Sequence, residues 1–362
     1  METWLLKLTK FLLRLFHILI KILPAYLVIL IMSKLRNYFI DYLIHNNSLT
    51  TNISDELSKL PARVLWGIKF NNPLMNAAGL FKNGDGYSFI ASQGFGGYIG
   101  GTSTYNRRIG NKIKGISLPF LVLPISNIAI NSLGLPNNGD NNIDDLKITD
   151  NKVDGCPIGW SVMRSPDYAV SEGLDKLIVS LNKVMANNII DFIEVNESCP
   201  NVAHINSSEF DLNYRLKFIA DNFLAKRQRQ LPVIIKISND IDSSSLYNLI
   251  DLLVKYQYDG LNIGNTSTNY QRVSKQISSQ EVKLFNYFTK YFKGGVSGSV
   301  LKTNSLNLSI LANNYVKSLN LDYEFNIIRT GGIDSIDDII QSEINGIKLN
   351  QWYTGYIKSI LD

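Results

Sequence analysis

From residue 64 onward, short β-rich runs alternate with longer stretches whose apolar residues recur at helical spacing, and this alternation constrains the fold more than any other feature of the chain. The runs fall at 74–77, 98–101, 158–162, 192–196, 233–238, 261–264, 326–330 and 347–351. Amphipathic helices are expected between several of them, at 168–185, 211–224, 246–256 and 305–319. Strands joined by helical crossovers pair in parallel, so the pattern reads as an α/β protein. Eight such strands over about 290 residues favour a closed (β/α)8 TIM barrel over an open doubly wound sheet. No strand is followed by a GxGxxG turn or by a nucleoside-triphosphate phosphate loop, which argues against a dinucleotide-binding sheet. A hairpin of 63–66 and 68–70 around Gly67 is expected to close the barrel floor.

Composition narrows the chemistry. Hydrophobic residues make up 45% of the chain and charged ones 19%, which excludes a disordered polymer. Two cysteines, Cys156 and Cys199, cannot supply a four-cysteine metal or iron–sulfur site, and three histidines leave little for zinc, so no metal is expected. The formal charge of +5 is concentrated at the start: residues 1–45 hold six basic side chains (Lys7, Lys10, Arg14, Lys21, Lys34, Arg36) against Glu2 and Asp41. The remainder is nearly neutral. That asymmetry points to a membrane surface rather than a nucleic acid.

Polar residues Thr3, Lys7, Lys10, Arg14, His17 and Lys21 recur at the α-helical period, flanked by a wide apolar face that includes Trp4, Leu8, Phe11, Leu15 and Leu19. Pro24 is expected to break or bend this helix, and a second apolar stretch continues from Ala25 through Leu43. Residues 1–45 therefore read as an amphipathic, monotopic membrane-association element holding to anionic lipid. A spanning helix, a cleaved signal peptide and a helix packed on its own domain are the other readings of this segment. Residues 46–62 read as a polar linker, and 63–362 as the barrel.

Side chains at the C-terminal ends of barrel strands face the active site, so the polar clusters expected there carry the functional signal. They are NAAGLFKNGDG (76–86), GGTSTYNRRIGN (100–111), NSLGLPN (131–137), NESCPN (196–201), KIS (236–238), GNTST (264–268), GGVSG (294–298), TGGID (330–334) and YTG (353–355). No carboxylate pair and no acid/histidine combination is among them, which argues against glycosidase and metal-hydrolase chemistry. Glycines there let backbone N–H groups approach a phosphate, and asparagine amides suit a ring of alternating donors and acceptors. Lys82 could pair with a substrate carboxylate or be an ordinary loop lysine. Lys236 lies in the apolar run VIIKIS, where an unpaired ammonium is costly, so a buried anion is implied. Cys199 is either an inert buried thiol or a base of lowered pKa.

Taken in order over about residues 60 to 358, these segments resemble the dihydroorotate dehydrogenases, flavin enzymes of pyrimidine synthesis. The resemblance implies flavin mononucleotide (FMN) bound by Ala78, Gly79, Leu80, Phe81, Lys82, Thr102, Ser161, Asn196, Lys236, Gly264, Gly298, Gly332, Tyr353 and Thr354. It implies substrate contacts from Lys82, from the loop of Asn131, Ser132, Leu133, Gly134 and Leu135, and from Asn196, Asn201, Asn265 and Thr266, with Cys199 as the catalytic base. The extension and the lysine of GLFK are similar to the membrane-bound, quinone-reducing members, whereas Cys199 stands where that class normally has serine. Ser161 replaces an asparagine, and AHIN (203–206) replaces a glycine-containing loop.

The activity implied is oxidation of (S)-dihydroorotate to orotate, with a hydride passing to FMN and electrons to a membrane quinone, and no obligate protein partner. The passage for quinone is expected between the N-terminal helices. Alternatives are an FMN barrel acting on another dihydropyrimidine or using fumarate as acceptor, and a flavin scaffold without activity.

Overall fold

Apolar, β-branched runs spaced by helices give eight parallel strands: β1 (Leu74–Asn76), β2 (Tyr98–Ser103), β3 (Ile158–Val162), β4 (Phe192–Asn196), β5 (Val233–Ser238), β6 (Gly260–Asn265), β7 (Asn326–Thr330) and β8 (Leu349–Trp352). Four of them, β3, β4, β5 and β7, have the bounds that the sequence pattern sets. The structure is a computed structural model that describes residues 22–45, 53–140, 143, 152–197 and 209–361. The sheet runs β1-β8-β7-β6-β5-β4-β3-β2, and a parallel bridge from Met75 to Gly97 brings its two edges together. The architecture is the expected (β/α)8 barrel.

The barrel interior is layered. Ile99, Phe192, Ile234, Ile328 and Leu349 form an apolar floor, closed from below by Leu65, Trp66 and Phe70 of the hairpin Arg63–Leu65 and Ile68–Phe70. Trp66 and Gly67 both have positive φ, at 52° and 75°, the geometry of a two-residue hairpin turn whose twist matches its strands. Side chains on a strand repeat their direction every two residues, so the next inward layer holds Glu194, Lys236, Thr330 and Gln351, two positions above Phe192, Ile234, Ile328 and Leu349. A dry floor thus carries a polar layer beneath the mouth.

Two clusters placed by sequence at barrel-strand ends lie elsewhere. GGVSG and the start of NSLGL belong to a three-stranded antiparallel sheet in which Ile128–Asn131 pairs with both Phe120–Leu123 and Gly295–Gly298. An antiparallel bridge from Ser267 to Val296 ties it to the segment after β6. Gly295–Gly298 is half glycine, and Ile128–Asn131 is a four-residue strand paired antiparallel on both sides, which hides them from a search for parallel barrel strands.

The helix α1 (Ala25–His45) starts immediately after Pro24, whose carbonyl accepts from Leu27 N–H at 2.9 Å. Proline fits at a helix start because no N–H is required of it there. One face of α1 is packed: Val28, Ile29 and Met32 join Leu121, Ile128, Ile130 and Val296 in a second core, and Ile40 and Leu43 enter the main core. Buried Ser33 accepts from Phe120 N–H at 2.9 Å. On the other face Leu27, Ile31 and Tyr38 are exposed, as is Ile22 just before the helix. Among the described residues no helix is long and apolar enough to cross a membrane. The basic stripe of residues 3–21 lies outside the described residues. Within the expected linker, Ile53–Leu57 forms a short helix whose Ile53 and Leu57 are buried in the main core.

Candidate active site

Between the C-terminal strand ends and the three-stranded sheet lies a cavity enclosing about 950 Å³ of open space, its mouth included. Every barrel strand or its following turn contributes to the wall except β3.

The cavity lining includes most of the groups expected to hold substrate. Lys82, half-buried, comes from the turn after β1, and Asn131, Leu133 and Leu135 come from the small sheet and its loop. Ser132 and Gly134 alternate with them and face away; Ser132 accepts weakly from Asn111 Nδ2 at 3.5 Å, and a Cβ on Gly134 would lie 2.2 Å from Asn111 Oδ1. Asn265 and Thr266 enter from β6. Asn196 on β4 links β6 and β2: its Oδ1 accepts from Asn265 Nδ2 at 3.3 Å, and its Nδ2 donates to Thr102 Oγ1 at 3.4 Å.

The same cavity is lined by the expected cofactor residues Ala78, Gly79, Thr102, Lys236, Gly264, Gly298, Gly332, Tyr353 and Thr354. Gly298 and Gly332 both have positive φ, and a Cβ on Gly332 would meet Lys302 N at 2.1 Å, where the helix Lys302–Ser318 begins. Ser297 and Thr354 hydroxyls lie 2.8 Å apart beside them. Leu301 and Ile333 add apolar surface. A glycine cradle, paired hydroxyls and a nearby helix start form an anion corner.

Three expected cofactor residues do not line the cavity. Gly79, at φ 92°, turns the chain so that Leu80 and Phe81 enter the main core, where Phe81 lies 6.4 Å from the Tyr98 ring. Ser161 is fully buried behind Thr102, their hydroxyls 2.9 Å apart, so the shorter side chain stops one layer short of the cavity. Cys199, Asn201 and the 203–206 loop lie outside the described residues.

Sequence reasoning missed the polar layer. Lys236 Nζ donates to Gln351 Oε1 at 2.7 Å and lies 3.3 Å from Glu194 Oε1. Burial pulls the Lys236 ammonium below its ordinary pKa, and Glu194 opposes that shift. The buried anion implied by VIIKIS is therefore a protein carboxylate. An acid in the middle of FIEVN, two positions before Asn196, was the available signal.

The dihydroorotate dehydrogenase family model matches residues 62–360. A Shewanella woodyi protein named dihydroorotate dehydrogenase (quinone) is 29% identical over 299 residues, covering 80% of each chain. An Aliivibrio fischeri protein of the same name is 30% identical over 307 residues, 83% of this chain and 84% of its own. The fold is similar to Eimeria tenella DHODH solved in complex with ferulenol, with a TM-score of 0.72, 19% identity, and 90% and 88% of the two chains covered. The chain belongs to the dihydroorotate dehydrogenase family of oxidoreductases.

Proposed function

We propose that this chain oxidises (S)-dihydroorotate to orotate in pyrimidine synthesis, using FMN and delivering electrons to a membrane quinone. The observation that carries the reading is Asn196, which hydrogen-bonds both Asn265 and Thr102 within one cavity that also holds Lys82, Asn131, Lys236 and the glycine cradle. The names of the bacterial relatives support both substrate and acceptor.

The residues present fit FMN. The anion corner at Gly298, Gly332, Tyr353 and Thr354 suits a phosphate and its ribityl chain, and Lys236 offers an ammonium to the polar edge of the ring. When bound, FMN would accept the hydride from C6 of the substrate and release two electrons to the quinone. Lys82 would pair with the substrate carboxylate, while the Asn131, Asn196 and Asn265 amides and Thr266 match the donors and acceptors of a pyrimidinedione. Leu133 and Leu135 exclude water. Cys199 would take the C5 proton, with Asn201 as a further ring contact. The exposed apolar residues of α1 would rest on an anionic lipid surface, and quinone would enter between the N-terminal helices.

Anaerobic addition of dihydroorotate tests the reading. Bleaching of bound flavin is expected; an unchanged flavin spectrum at saturating substrate would overturn it.

A further inference from the structure

Five side chains from five consecutive barrel positions form a closed polar layer under the cavity: Glu194 on β4, Lys236 on β5, Asn262 on β6, Thr330 on β7 and Gln351 on β8. Glu194 Oε2 accepts from Gln351 Nε2 at 2.6 Å and from Asn262 Nδ2 at 2.7 Å. Its Oε1 faces Lys236 Nζ at 3.3 Å. Thr330 Oγ1 donates to Asn262 Oδ1 at 2.7 Å, fixing the orientation of that amide. Glu194 is 1% exposed and Lys236 3%. Lys236, Thr330 and Gln351 reach the cavity wall; Glu194 and Asn262 stay behind it.

The layer is therefore neutral as a whole, while the cavity meets its ammonium first. A cation beside a flavin ring favours the electron-rich form of that ring, and a carboxylate directly behind the cation offsets the effect. Two amides donating to one oxygen hold the carboxylate in place, so the offset is fixed by packing. We infer that Glu194 is a positioning residue for the flavin: it holds Lys236 Nζ at the cavity floor and, as its counter-ion, keeps the reduction potential of bound FMN lower than Lys236 alone would set it. This rests on the FMN reading above.

The test uses full-length, FMN-loaded protein, with the potentials of wild type and variants measured side by side at one pH. Glu194→Gln removes the charge and keeps an acceptor oxygen; Glu194→Asp keeps the charge and withdraws it from Lys236, and guards against poor folding of the first variant. Both are expected to stay yellow and to shift the potential upward. For Glu194→Gln the expected shift is at least tenfold in the two-electron equilibrium, about 30 mV. Sulfite, which adds to electron-poor flavins, is expected to bind that variant at least tenfold more tightly. A merely structural role would lower thermal stability or FMN affinity and leave the potential and sulfite affinity at wild-type values, and that result would overturn the inference. Wild-type protein that takes up no FMN would instead remove the flavin reading and this inference with it.

Discussion

Arg36 Nη2 donates to the hydroxyl of Tyr353 at 3.2 Å, linking α1 to the residue that follows β8 on the cavity wall. The guanidinium also lies 5.7 Å from the ring centre of Phe120 in the three-stranded sheet. The helix proposed to meet the membrane is thus tied to the cavity edge by a cation. Arg36→Ala is expected to slow reoxidation by quinone about 10- to 100-fold, the worth of a charged hydrogen bond of about 1.5–3 kcal/mol. Bleaching by dihydroorotate should be unchanged. Stopped-flow measurement of the two half-reactions separates them; equal slowing of both would make the pair a structural staple.

Truncation should have a sharp boundary. Deleting residues 1–21 removes the basic stripe and is expected to leave soluble, yellow protein that no longer sediments with anionic vesicles. Deleting 1–45 also removes Val28, Ile29, Met32, Ile40 and Leu43 from two cores. At about 1.5–3 kcal/mol per buried side chain, that loss rivals the whole stability of a domain, about 5–15 kcal/mol. The longer deletion is expected to be insoluble. Soluble expression and thermal melting of the two forms decide it.

The barrel was legible because its strands are buried on both faces and read as continuous apolar runs, as in VIIKIS and IGWSV. The small sheet was not, since Gly295–Gly298 is half glycine and draws its definition from pairing with Ile128–Asn131 rather than from propensity. Asn131, Asn196, Asn265, Gly298 and Gly332, from separate sequence motifs, converge on one cavity. Phe81 illustrates the limit. A motif places a residue near a site, but the turn at Gly79 decides which way its ring points. Glu194 shows the converse, a functional candidate inside a strand, visible only once the inward-facing alternation of β4 is fixed.

Gly332→Ala tests the anion corner. The new methyl would sit 2.1 Å from Lys302 N and 2.3 Å from its Cα, both backbone atoms, at a φ of 72° that disfavours alanine by about 1–2 kcal/mol. The turn must shift, moving its N–H groups off the phosphate position. FMN affinity is expected to fall at least tenfold, about 1.4 kcal/mol, by fluorescence titration. Retained affinity would place the phosphate elsewhere.

Lys82→Ala should remove the carboxylate clamp. A loss of about 10- to 100-fold in kcat/KM for dihydroorotate is expected, corresponding to about 1.5–3 kcal/mol. FMN content should be unchanged. A dihydropyrimidine lacking the carboxylate should bind wild type and variant alike; a parallel loss for both ligands would mean that Lys82 supports the loop instead.

Cys199 is the remaining test of class. A base must be deprotonated to act, so the rate of flavin bleaching should rise with pH through the thiol range, about 8.5 when unperturbed. Cys199→Ala is expected to keep its FMN and lose about 10²–10⁴-fold in turnover. Cys199→Ser should retain partial activity with its inflection moved to higher pH, because a hydroxyl gives up its proton less readily than a thiol. Cys156 serves as the internal control: it is buried, and burial pushes its thiol up to about 12, so it carries no thiolate in the working range. Cys156→Ala should leave the pH profile of bleaching in place. A profile unaltered by Cys199→Ser, or abolished by Cys156→Ala, would remove Cys199 from the role of base.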